Sequence, residues 1–198
     1  MNAPAEPSAT ALRPPEGAGA EGALSPQALR TALGRFATGV TIVTCVDAAG
    51  QRVGLTANSF GALSLEPPLV LWSLRRASPS LPAFEAASHF AVNVLAESQV
   101  ELSRRFARPM PLPEAHPDTT RDPVGARTDK FGEGGWSAGL GGAPVLAGCA
   151  AVFECERVAA HDGGDHRLFI GRVLRLADLA IAPLLFQGGH YHMLGEVL

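Results

Sequence analysis

Two segments of this chain read as strand, tight turn and returning strand, and that pattern constrains the fold more than any other feature. In the first, Val40 to Val46 is rich in β-branched residues, Asp47-Ala48-Ala49-Gly50 has turn chemistry, and Gln51 to Asn58 returns. In the second, Ala150 to Val158 and Arg167 to Leu176 flank the turn His161-Asp162-Gly163-Gly164-Asp165. Turns this short join antiparallel neighbours, because a parallel pair needs a long crossover. Leu69 to Leu74 and Phe90 to Leu95 add two apolar runs of strand length. The expectation is a mainly β, antiparallel fold with a few short flanking helices. One helix is predicted after the Ser25-Pro26 cap, with Leu29, Ala32, Leu33 and Phe36 on one face and Gly39 as its stop. A second covers Ser80 to Ser88, and a third opens on a capping box of Ser98 with Glu101 and runs through Phe106.

A chain of 198 residues is enough for one well-buried domain. Residues 1–24 are nearly all Ala, Pro, Glu, Gly and Ser, and are expected to be a disordered tail preceding a domain over 25–198. Gly17-Ala18-Gly19-Ala20-Glu21-Gly22 matches the dinucleotide fingerprint literally, but no strand precedes it, so it is a decoy. Prolines 109, 111, 113, 117 and 123 argue for a long Pro/Gly-rich loop over 107–144. A net charge of −3 gives no basic footprint for nucleic acid, and no apolar run reaches membrane-spanning length. Cys45, Cys149 and Cys155 form no CxxC pair, which fits reduced thiols in cytoplasm; Cys149, Ala151, Phe153 and Cys155 are expected on one core face.

Small polar residues mark the candidate site. Gly54-Leu55-Thr56-Ala57-Asn58-Ser59-Phe60 lets backbone approach a flat polar ligand while offering donors and acceptors to its edge; it could equally be a polar strand end bonding its own backbone. Arg75-Arg76 and Ser78-Pro79-Ser80 precede a predicted helix, where a phosphate or merely a serine cap would sit. Asp165 beside His166 is either a tuned imidazole or an exposed turn histidine. His161, Asp162, Asp165, His166, His190 and His192 are metal-ligating types, but none has HExxH spacing, so no metal is expected. No GxSxG elbow supports hydrolase chemistry.

Four blocks, LRTALGRFATGVTIVT (29–44), GLTANSFGALSLEPPLVLWSLRRASPSLPAF (54–84), HFAVNVLAESQVELSRRFA (89–107) and GDHRLFIGRV (164–173), carry a further signal. In this order they resemble the flavin reductase family of the FMN-binding split-barrel type, the small reductase components of two-component flavin-dependent monooxygenases. The resemblance implies an antiparallel split β-barrel, a homodimer with residues of both subunits around each flavin, and transfer of a hydride from NADH or NADPH to FMN or FAD. Reduced flavin would then serve a separate monooxygenase or halogenase. Alternatives on the same fold are a flavin-retaining oxidoreductase with another substrate and a non-catalytic flavin-binding protein.

By that resemblance Thr38, Gly39, Val40, Thr41, Thr56, Ala57, Asn58, Ser59, Ser73, Arg75, Ser78 and Ser80 contact flavin, with Arg105 adding charge on the phosphate side. His166, Gly189 and Tyr191 fall to the nicotinamide, with the flavin edge as the alternative for Tyr191, and no protein acid or nucleophile is obligatory. Gln187 and His190 depart from the family's Arg-Gly-rich Tyr motif, leaving NADH against NADPH open, and the segment before Lys130-Phe131 is longer than in the family.

Overall fold

The computed structural model describes residues 24–108 and 129–196. The expected tail over 1–24 lies, except for Leu24, outside the described residues, as does most of the Pro/Gly-rich loop. Residues up to Phe36 form one unit and Ala37 onward another.

The first unit contains helix α1 (Pro26–Leu33). Ser25 caps it as the sequence suggests, its hydroxyl accepting from the Ala28 N–H at 3.0 Å, with Pro26 in the first turn where a missing N–H costs nothing. The helix stops at Gly34 rather than Gly39, because the next amides, of Arg35 and Phe36, bond to carbonyls only three residues back, Ala32 and Leu33, and tighten the chain out of the α-helix.

The second unit is built from strands β1 (Thr38–Gly39), β2 (Thr41–Val46), β3 (Arg52–Ala57), β4 (Gly61–Leu65) and β5 (Pro68–Arg75), helix α2 (Leu81–Ala86), β6 (His89–Val94) and α3 (Val100–Ala107). After the undescribed segment come β7 (Trp136–Ala138), β8 (Pro144–Leu146), β9 (Ala151–Gly163), β10 (His166–Asp178), β11 (Leu185–Gln187) and β12 (His190–His192). Seven strands make one sheet in the order β3-β2-β6-β9-β10-β5-β4, every pair antiparallel. Its two edge strands, β3 and β4, are consecutive in the chain and joined only by residues 58–60. A second sheet, β1-β11-β12, and a hairpin, β7-β8, complete the unit.

Both faces of the large sheet are covered, so β2 is buried almost throughout instead of alternating. Val43 and Cys45 face a cluster around Trp72, Phe84, Phe90 and Phe169, while Ile42, with Val40 before the strand, faces a cluster around Phe106, Leu146 and Leu184. Trp72 lies stacked on Phe169 at 4.8 Å, which centres the first cluster. Helix α3 covers β3 in the second cluster. A Cβ on Gly54 would fall 2.8 Å from the Phe106 ring, so only glycine lets helix and strand meet this closely.

Several expectations need correction. The capping box of Ser98 and Glu101 does not form: a 3-10 turn over Glu97–Gln99 precedes α3, and the Gln99 carboxamide accepts from the Ala96 N–H at 3.0 Å. The β9–β10 hairpin extends to Gly163 and His166, so His161 and Asp162 are ladder residues, opposite Leu168 and Arg167. Cys149 belongs to the second cluster and Cys155 to the first, because Cys149 precedes β9, with a bend at Ala150 between them. All three cysteines are free and buried, and burial pushes their thiols up to about 12, where they are inert. Within 107–144, β7 and a 3-10 turn over Leu140–Gly142 give regular structure to the described part.

Candidate flavin site

The residues singled out in the sequence gather in two places. The first is a cavity of about 180 Å³ lined by Val40, Thr56, Asn58, Ala107, Phe186 and Tyr191. It lies where β3 runs out under α3 and the small sheet packs alongside. In that sheet Thr38, Phe186 and Tyr191 stand directly opposite one another across three strands, so their side chains share a face. Phe186 and Tyr191 meet edge to face at 5.5 Å. The turn joining their strands is Gly188-Gly189, both at positive φ, the conformation a two-residue hairpin turn demands.

Hydrogen bonds fix the walls. The Thr56 hydroxyl donates to the Ser103 carbonyl at 2.6 Å, and the Ser103 hydroxyl is 2.9 Å from the Tyr191 phenol. Thr41 donates to the Ala57 carbonyl at 2.8 Å, tying β2 to the end of β3. Asn58 is exposed at the rim and its amide meets no partner among the described residues. The Thr38 hydroxyl oxygen is buried without a partner among the described residues. An apolar enclosure with unspent polar atoms at its margin suits a flat heteroaromatic ring. Whole-ligand pockets run to roughly 300–1,000 Å³, so this cavity takes one ring system rather than a dinucleotide.

The second place is a ledge where β5 meets the tip of the β9–β10 hairpin. Ser59 bridges to it: its hydroxyl donates to the Ser73 carbonyl and accepts from the Ser73 N–H, both at 3.0 Å. Arg75 stands opposite His166 and Ser73 opposite Leu168. The His166 Nδ1 lies 2.7 Å from the Asp165 carboxylate, and this hydrogen bond holds the Asp165 carboxyl below the usual carboxylate range. Asp162 is likewise held low, first by its hydrogen bond to Arg167 and further by Arg76. The Arg76 guanidinium also donates to the Gly164 carbonyl at 3.0 Å, so hairpin tip and β5 are laced together. Ser78 accepts from the Ser80 N–H at 3.3 Å, and Ser80 opens α2 without capping an amide.

Two placements bear on the sequence reading. Tyr191 belongs to the cavity with Thr56 and Asn58, whereas His166 belongs to the ledge on the other sheet. Arg105 is ion-paired with Glu133, whose carboxyl that contact holds low. Sequence reasoning missed Phe186, Ala107 and Ser103. Only Ser103 left a trace, as a hydroxyl in the buried stripe of α3 beside Phe106. Among the described residues no three His, Cys, Asp or Glu side chains come together to hold a metal ion, and no helix is long and apolar enough to cross a membrane.

The chain resembles known proteins over most of its length. Residues 33–195 match the family model described as flavin reductase like domain. The chain is 42% identical over 165 residues to the NADH-dependent FMN reductase SmoA of Agrobacterium fabrum, covering 83% of this chain and 84% of that protein. It is also 42% identical over 177 residues to HsaB of Rhodococcus jostii, the reductase subunit of a flavin-dependent monooxygenase, covering 89% and 82%. Among solved structures, the NADH:FAD oxidoreductase of Streptomyces globisporus superposes with a TM-score of 0.73 at 32% identity, covering 91% of this chain and 96% of that one.

Proposed function

Because the chain belongs to the flavin reductase like family, we propose that it is an NAD(P)H:flavin oxidoreductase that supplies reduced FMN or FAD to a separate monooxygenase. The observation that carries this reading is the ring-sized apolar cavity between Asn58 and Tyr191, inside the stretch that matches the family. When bound, the flavin supplies the N5 atom that takes hydride from the nicotinamide, so the chemistry is the cofactors' own.

What the chain contributes is grip and alignment. Val40, Phe186 and Tyr191 exclude water from one face of a ring, and the Asn58 amide can pair with the ring's polar edge. Thr38, Gly39, Thr41 and Ala57 set the backbone of the cavity floor, with Thr41 and Ala57 clamped together. Ser59 and Ser73 tie the cavity to the ledge, where Arg75, Ser78 and Ser80 are assigned to the phosphate end of the flavin. His166, oriented by Asp165, is assigned to the nicotinamide nucleotide, with Gly189 shaping the turn that presents Tyr191. Holding two rings in near-attack geometry is the whole catalytic task, and no protein acid is needed.

The finer architecture we assign is a split β-barrel. Edge strands that are consecutive in the chain, with Ser59 bonded across to β5, support it. We further assign a homodimer with both subunits around each flavin, as the family resemblance implies, and a cytoplasmic setting, which free buried cysteines fit. Steady-state NADH oxidation with added FMN tests the function. A reductase turns over as free flavin is supplied, a flavin-retaining oxidoreductase ignores the addition, and a flavin-binding protein oxidises no NADH.

A further inference from the structure

Ser103 is 0% exposed. It sits in the buried stripe of α3, three residues before Phe106, where a hydroxyl destabilises the fold unless it is paired. Helical serines often return their hydroxyl to the carbonyl one turn back. This one bonds instead to Tyr191 at 2.9 Å, and among the described residues it has no other hydrogen-bond partner. Tyr191 needs such an anchor. Its strand, β12, has three residues and pairs only with the equally short β11, which leaves a ring on its edge weakly held by backbone alone. The Ser103 carbonyl meanwhile accepts from Thr56 on the opposite wall. One buried residue thus joins both walls of the cavity, by its side chain to one and by its main chain to the other.

We propose that Ser103 is a positioning residue of the reductase described above: its hydroxyl fixes the Tyr191 ring at the cavity wall and so sets how tightly a flat N-heteroaromatic ring, flavin or nicotinamide, is gripped. Ser103 acts through Tyr191 and touches no reacting atom. Replacing it with alanine removes the side-chain bond and keeps the carbonyl that receives Thr56, so the substitution isolates the Tyr191 contact.

The test compares wild type with Ser103→Ala, Tyr191→Phe and the double variant, with FMN fluorescence titration as one arm and the KM for NADH as the other. Loss of one hydrogen bond predicts a roughly three- to tenfold weakening in whichever arm reports the ring in the cavity. The double variant should be no worse than either single one, since both remove the same bond. The chain contains a single tyrosine, so the Raman doublet of its phenol in flavin-free protein reports the bond directly and should change in Ser103→Ala. A shift in the flavin arm places flavin in the cavity, and a shift in the NADH arm places nicotinamide there; either supports the proposal. Unchanged values in both arms, additive effects in the double variant, or an unaltered Raman doublet overturn it. Should Ser103→Ala fail to fold, Tyr191→Phe breaks the same bond from the half-buried end and carries both arms. A wild-type protein that neither binds FMN nor oxidises NADH overturns the reductase reading and this proposal together, whereas a competent wild type matched by Ser103→Ala overturns the proposal alone.

Discussion

The cavity and the ledge hold their side chains in opposite ways. Around the cavity, polar groups are buried and spent on fixed backbone, as Thr41 on Ala57 and Thr56 on Ser103, leaving apolar walls for a ligand. Along the ledge the polar groups lie at or near the surface and satisfy one another: Arg76 and Arg167 share Asp162, and His166 is hydrogen-bonded to Asp165. The first arrangement is rigid and shape-selective. The second is adaptable, because exposed ion pairs are weak and can exchange a partner for a ligand's charge. A dinucleotide or flavin nucleotide needs both, with its ring read by packing and its phosphates and hydroxyls read by charge.

Gly54→Ala should break the comparison most severely. The added methyl would meet the Phe106 ring at 2.8 Å and the Phe131 ring at 3.1 Å, neither of which is a flexible chain end. Forcing α3 off β3 should cost about 1–3 kcal/mol of stability and open the cavity wall. Calorimetry should show a lowered Tm together with lost flavin binding. A variant of native Tm and native flavin affinity would show that the α3–β3 contact does not shape the site.

Asn58 and Ser59, neighbours in sequence, should fall on either side of the divide. Asn58→Ala removes an amide with no internal partner, so flavin should bind roughly three- to tenfold more weakly at unchanged Tm. Ser59→Ala removes two bonds to Ser73 and should lower stability by about 1 kcal/mol. Denaturant melts and flavin titrations on both variants measure the contrast, and an exchange of the two phenotypes would reverse the assignment.

The legible part of the molecule is the part whose burial is simple. β2, β3, β5, β6 and the cores of β9 and β10 announce themselves through β-branched and apolar runs. β4 passes unnoticed because it is an edge strand with Leu63 and Leu65 exposed, so no buried face imprints a pattern. β11 and β12, at three residues each, are too short for periodicity, yet they bring Phe186 and Tyr191 to the cavity. At the hairpin, His161 and Asp162 look like turn residues because the paired arm is solvent-exposed there, and polarity alone does not separate an exposed ladder from a turn. For the site, residue types were readable and groupings were not. Tyr191 and His166 lie 25 positions apart in sequence, but which sheet each joins depends on pairings that no local signal encodes.

His166→Ala tests the ledge from the other direction. If the ledge reads the nicotinamide nucleotide, the KM for NADH should rise roughly threefold while flavin affinity stays within error. Stopped-flow reduction at varied NADH separates binding from the reduction step. Weakened flavin binding with intact reduction would move His166 to the flavin, and no change in either would leave it a structural residue at the start of β10.

The smallest effect expected is a selective loosening of the ledge in acid. Asp162 and Asp165 have carboxyls held below their ordinary value, by Arg167 and Arg76 in one case and by His166 in the other. A carboxyl whose folded value is depressed contributes stability that is present above the unfolded value, about 4, and is lost as pH falls through the folded value. Both carboxylates are exposed, so the contribution is small and further screened by salt. Among the described residues no acidic side chain lines the cavity. Hydrogen exchange between pH 5 and pH 3 should therefore quicken first at the amides of Arg76 and Leu168, with those of Thr56 and Tyr191 slower to respond after correction for the intrinsic rate. Equal loosening of all four would mean that the two regions unfold as one unit and that their different electrostatics have no separate structural consequence.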